Sequence, residues 1–167
     1  VGFREGRYNE QVSALSGMKA MFQNVLVPTD GSELSTQAIH SAVDFAKAIG
    51  ARLQFMHARS SLPLSLTGID QWVNPSTLDE LIKATREDSE RILAEALAIA
   101  AAAGVEAKAE AVVHEVPYQA IIAAADQHQC DLIYMASHGR RGLSNFLLGS
   151  QTQRVLTHAS QPVLVSR

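Results

Sequence analysis

A single cysteine, Cys130, in 167 residues rules out an intrachain disulfide framework and a cysteine metal site, and it fits a reducing, cytoplasmic setting. Lying between Gln129 and Asp131 at the start of an apolar run, it reads as a buried structural thiol. Aromatic residues are only 5%, too few for the stacking platforms of a single-strand nucleic-acid binder. The formal charge of −3 gives no general attraction to a nucleic-acid backbone or an anionic membrane. No apolar run reaches the roughly 18 residues that a bilayer span needs. The alanine-rich stretch 94–103 is broken by Glu95 and reads as a buried helix end. The histidines outside the loop described below, His40, His57, His114, His128 and His158, show no metal-ligand spacing and read as structural or exposed.

The rest is ordinary globular material, 47% hydrophobic and 19% charged, in a length that suits one domain. Residues 1–20 carry Arg4, Glu5, Arg7 and Glu10 without the apolar centre of a signal peptide. They are expected to be a leader, natural or added, with the native start at Met18 or Met21 and the domain over 21–167.

The order of elements follows from punctuation and period. Asn24 to Pro28 is a short β-branched run, and Thr29-Asp-Gly-Ser32 supplies turn and cap chemistry. A helix with Ile39, Ala42, Val43, Ala46 and Ile49 at helical spacing ends at Gly50. Arg52 to Ala58 is a second strand. Residues 59–76, with Pro63, Gly68, Trp72 and Pro75, form a long loop or lid in which Trp72 is either an anchor or part of a binding surface. Thr77 to Ala103 is a long amphipathic helix whose apolar face runs from Leu78, Leu81 and Ile82 to Ala100. Val105 to His114 is a third strand, Pro117 opens a helix with Ile121, Ile122 and Ala125, and Asp131 to Met135 is a fourth strand. Ser150 opens a last helix bearing Val155, Leu156 and Ala159, and 162–166 is a final strand. Short apolar strands alternating with helices imply a parallel, doubly wound α/β sheet with helices on both faces. Ligands of such sheets bind beyond the carboxyl ends of the strands, which points to the loops after strands one and four.

The loop over 135–150 reads MASHGRRGLSNFLLGS, leaving a strand, passing three glycines and entering a helix. Glycine lets main-chain N–H groups approach a phosphate, and a helix N-terminus offers further donors and partial positive charge. Arg140 and Arg141 either add to this or are solvated loop charges.

That loop resembles the phosphate loop of the universal stress proteins (UspA-like domain, ATP-binding branch), whose pattern is Gly, two residues, Gly, nine residues, Gly, then Ser or Thr. Here it is met as Ala136, Gly139, Gly149 and Ser150, with alanine in the first place. Val-Pro-Thr-Asp-Gly-Ser at 27–32, Met-His at 56–57, Val-Pro at 116–117 and Pro-Val-Leu-Val at 162–165 extend the likeness over nearly all of 21–167. The resemblance implies a five-stranded parallel, Rossmann-like sheet of the adenine nucleotide alpha hydrolase type, strand order 3-2-1-4-5, and a homodimer through strand 162–166. It implies ATP as ligand, with or without Mg²⁺. Pro28 and Thr29 would form the first-strand wall, with Asp30 near the ribose or a metal-bound water. Ala58 would face the adenine, and Met135 and Ala136 would flank base and ribose. Gly139, Gly149, Ser150 and Thr152 would receive the phosphates, and His138 would brace the loop or lie beside them. Arg140 and Gln151 complete the expected nucleotide-binding set. Two departures matter. The Ala136 methyl could press on the ribose or forbid a glycine-only backbone angle, and Glu115 brings a negative charge to a turn where the family often has glycine.

A phosphate loop without an assembled catalytic set favours a nucleotide-binding regulatory module of the stress response, with no catalytic residues assigned. No Gly-x-Ser-x-Gly elbow is present, and no Lys-Ser or Lys-Thr completes a P-loop. The alternatives are a slow ATPase or self-phosphorylating protein, and an interaction protein that takes no nucleotide.

Overall fold

The computed structural model describes residues 21–59, 75–139 and 148–167. The expectations for 1–20, for Trp72 and for Arg140 and Arg141 lie outside them. The chain order is β1 (Asn24–Pro28), α1 (Glu33–Ile49), β2 (Arg52–Arg59), α2 (Pro75–Ala103), β3 (Ala107–Val113), α3 (Pro117–Gln127), β4 (Leu132–Ala136), α4 (Ser150–His158) and β5 (Val163–Ser166). The strands form one parallel sheet in the order β3-β2-β1-β4-β5.

Alternate side chains of a strand face opposite sides, so each apolar strand feeds two cores. Val25, Val27, Leu53, Phe55, Tyr134 and Ala136 pack with α1 and α2. Leu26, Met56, Ile133 and Met135 pack with α3 and with Val155 of α4. The small residues Ala42, Ala46, Ala96, Ala100, Ala120 and Ala124 are the helix faces that meet these strands, and all are nearly or fully buried. Asp131 locks the start of the sheet. Its carboxylate accepts from the main-chain N–H of Gln23 at 2.7 Å and of Asn24 at 3.1 Å.

Several boundaries differ from the sequence reading. Arg59 belongs to β2 and not to the following loop, because β3 carries the pairing onward to Arg59↔Val113. Pro75 and not Thr77 opens α2, a first-turn place where a missing N–H costs nothing. β3 is shorter than expected and β4 is shifted on by one residue. Leu81 and Ile82 do not join the core; they are 50% and 46% exposed. At 29 residues, α2 is about 43 Å long, far longer than the strands it covers, so its buried face begins only near Ser89. Leu156 is likewise exposed, lying off the buried stripe of Thr152 and Val155.

Candidate functional site at the carboxyl edge of the sheet

Winding reverses at β1: the chain reaches β2 on one side and β4 on the other, which opens a crevice at the carboxyl ends of these strands. A cleft of about 500 Å³ lies there, within the usual size for small-molecule sites. Every expected nucleotide-binding residue among the described ones lines it.

The turn after β1 is built from its own side chains. Thr29 is buried; its N–H donates to Met56 O at 2.8 Å, and its hydroxyl meets Ser35 Oγ at 3.0 Å. Its carbonyl accepts from His57 Nδ1 at 2.8 Å, which assigns the imidazole proton to that nitrogen. Gly31 takes φ 73° to complete the turn, and Ser32 caps α1 by accepting from Ser35 N at 3.2 Å. Asp30 closes the turn itself. Its Oδ1 accepts from Ser32 N at 3.0 Å, the side-chain turn that Asp forms readily.

The other wall comes from β4 and α4. A Cβ built on Gly139 would collide with Asp30 Oδ2 and lie 3.2 Å from Asp30 Cγ. The chain after β4 therefore comes so close to the Asp30 carboxylate that a side chain at 139 would have to displace it. Gly149 is the N-cap of α4 at φ −60° and ψ 148°, a conformation open to any residue. What limits it is space. An added Cβ would sit 3.2 Å from Ser137 O and 3.3 Å from His138 Cα, and Gly149 N–H already donates to Ser137 O at 2.8 Å. The first-turn N–H groups of α4 have no carbonyl within their own helix to accept from them.

Ser150 stands first in α4, exposed and not the cap. Thr152 is buried, and its hydroxyl donates to Ala136 O at 3.1 Å, tethering α4 to β4. Gln151 Oε1 accepts from Tyr118 N at 3.1 Å and joins α4 to the start of α3. His138 Nδ1 meets Ser137 Oγ at 3.2 Å, while its Nε2 is buried without a hydrogen-bond partner.

Ala136 is the last residue of β4, paired with Ser166, and its φ is not positive; the strand asks for no glycine angle. Its methyl belongs to the core shared with α1 and α2. Glu115 is exposed and does not line the cleft, although Pro117 does.

Sequence reasoning missed Ser35, His57, Arg59, Thr85 and Asp88 in the lining. Thr85 and Asp88 carry no signal in the sequence beyond their place in a helix, and Arg59 falls in the stretch that reads as loop. Among the described residues no group of three or more His, Cys, Asp or Glu is placed to hold a metal ion, and no helix is long and apolar enough to cross a membrane.

A model of the universal stress protein family matches residues 21–167. The chain belongs to that family. A relative from Thermus aquaticus, the universal stress protein in the QAH/OAS sulfhydrylase 3′ region, is 33% identical over 147 residues, covering 88% of this chain and 100% of the relative. Among solved structures, a protein of the universal stress protein family from Burkholderia pseudomallei is 28% identical, with a TM-score of 0.68 over 87% of this chain and 96% of its own. A universal stress protein in complex with cAMP is 29% identical, with a TM-score of 0.65 over 88% of this chain and 98% of its own. Family membership accounts for the strand order of this universal stress protein.

Proposed function

We propose that this universal stress protein binds an adenine nucleotide in the cleft, ATP with Mg²⁺ foremost, and works as a cytoplasmic regulatory module whose conformation or partner choice follows the bound nucleotide. The observation that carries this is the pair of glycine approaches: Gly139 against Asp30, and Gly149 as cap of α4, with its N-terminal N–H groups beside a cleft of about 500 Å³. Main-chain donors at a helix N-terminus suit phosphate oxygens. The related protein held with cAMP, an adenine nucleotide, supports the choice of base.

In this reading the base lies between Ala58 and Met135, on the side of the sheet that faces α3. β2 outruns β1, whose last pair is Pro28↔Met56. Arg59 O accepts from His114 N of the β3 side, so the main-chain groups of Ala58 point the other way, past the end of β1, where a base edge can meet them. Asp30 would hold Mg²⁺ through its water. That donor set is a single carboxylate, which suits an ion carried in by phosphates more than a resident metal. Two copies would pair through β5, an edge strand with half-buried Val163, Leu164 and Val165.

The test is calorimetric titration of nucleotide-free protein with ATP and Mg²⁺ beside Gly149→Val, whose branched side chain would crowd Ser137 O. Binding by the first and none by the still-folded variant is expected. Binding by neither makes the chain an interaction protein without nucleotide. Phosphate release under the same conditions would make it an ATPase.

A further inference from the structure

Among the described residues two buried side-chain polar atoms lack a hydrogen-bond partner, His138 Nε2 and Arg59 Nε, and both residues line the cleft. His138 stands beside the glycines and belongs to the phosphate end already described. Arg59 does not. It ends β2, one strand to the far side of β1 from β4. At about 4.8 Å between neighbouring strands, that sets β2 about 10 Å from β4 across the sheet.

Its face is known from the alternation along β2. Phe55 packs in the core under α1 and α2, so Arg59 shares the α2 side with His57, and Thr85 and Asp88 of α2 line the cleft there. Ala58, on the opposite side, packs with the second core. An N–H of a guanidinium, which stays charged at any physiological pH, is costly to bury with no acceptor, and folded proteins keep few such groups.

Resting on the nucleotide reading, we infer that Arg59 is a ligand-binding residue for the nucleoside half: its buried Nε–H donates to a sugar oxygen on the α2 side of the cleft, outside the glycine loop. The guanidinium would thereby supply affinity that is indifferent to the number of phosphates. It would also recognise the nucleoside by a side chain outside the glycine loop.

The experiment uses the full chain, freed of nucleotide, as wild type and as Arg59→Met, which keeps an apolar stem but no donor. Both are titrated with adenosine, AMP and ATP, and melted without ligand. Arg59→Met is expected to lose about tenfold or more in affinity, by the same factor for all three ligands. Its ligand-free melting temperature should equal or exceed the wild type's, because an unpartnered buried donor has gone. Unchanged affinities overturn the inference, with or without a fall in the ligand-free melting temperature. So does a loss that grows from adenosine to ATP, which would put the guanidinium on the phosphates. If wild type binds none of the three, the nucleotide reading falls with it. If wild type binds, Gly149→Val does not, and Arg59→Met binds as tightly as wild type, only the role of Arg59 falls.

Discussion

Replacing Gly139 with alanine adds one methyl at the point where the loop after β4 meets the turn after β1. The new Cβ would overlap Asp30 Oδ2 and approach Asp30 Cγ to 3.2 Å. The backbone at Gly139 lies outside the left-handed region, so the cost is steric and not conformational. To escape, Asp30 must swing away and give up the bond it accepts from Ser32 N at 3.0 Å, or the two segments must part. Overpacking of this kind costs about 1–3 kcal/mol. For a domain of this size the melting temperature falls about 2–4 °C per kcal/mol, giving a drop of roughly 2–12 °C. The decisive assay is a cycle of Gly139→Ala, Asp30→Ala and the double variant, each unfolded in urea. With the carboxylate gone, the methyl has room, and Gly139→Ala should cost little in the Asp30→Ala background. A coupling energy of about 1–3 kcal/mol is therefore expected. Additive losses would refute the reasoning, because something other than Asp30 would then be what excludes a side chain.

Three more outcomes follow from particular contacts. Thr152→Val keeps the shape but leaves Ala136 O without its donor; a loss of about 1–2 kcal/mol in urea unfolding is expected. Burial, with Asp131 and Glu110 adding to it and Arg52 opposing, pushes the Cys130 thiol up to about 12 from 9.0. Between those values the unfolded chain releases a proton that the folded one keeps, so stability should fall as pH rises from 9 toward 12. Cys130→Ala should flatten that fall, and native protein at neutral pH should resist a thiol reagent until urea exposes the site. Last, Pro162 O and Ser166 O face β4, so the N–H groups of Val163 and Val165 point to the open edge. Val165→Pro should leave the domain folded and yield monomer by light scattering where wild type gives dimer; a dimer that survives excludes pairing through this edge.

The sheet was largely legible because its signals are local. Runs such as 24–28 and 132–136 are apolar on both faces, glycines stop helices at Gly50 and Gly104, and the helical period continues to Ala100. The spacing from Ala136 to Ser150 marked one wall of the cleft for the same reason. Misreadings arose where length outran partner: the apolar period of α2 runs on through Leu81 and Ile82, but the sheet beneath it ends.

By itself, then, the sequence determined the order of the elements, the parallel sheet and the glycine-spaced segment that follows its fourth strand, since each depends on residues close together in the chain. Only the tertiary structure decided what touches what across the carboxyl edge of the sheet. It set Gly139 against Asp30, made Ala136 an ordinary strand residue, tied Thr152 to its carbonyl and brought Arg59 into the lining. Such contacts join segments far apart in sequence, and their distances follow from how strands and helices pack, which no local pattern encodes.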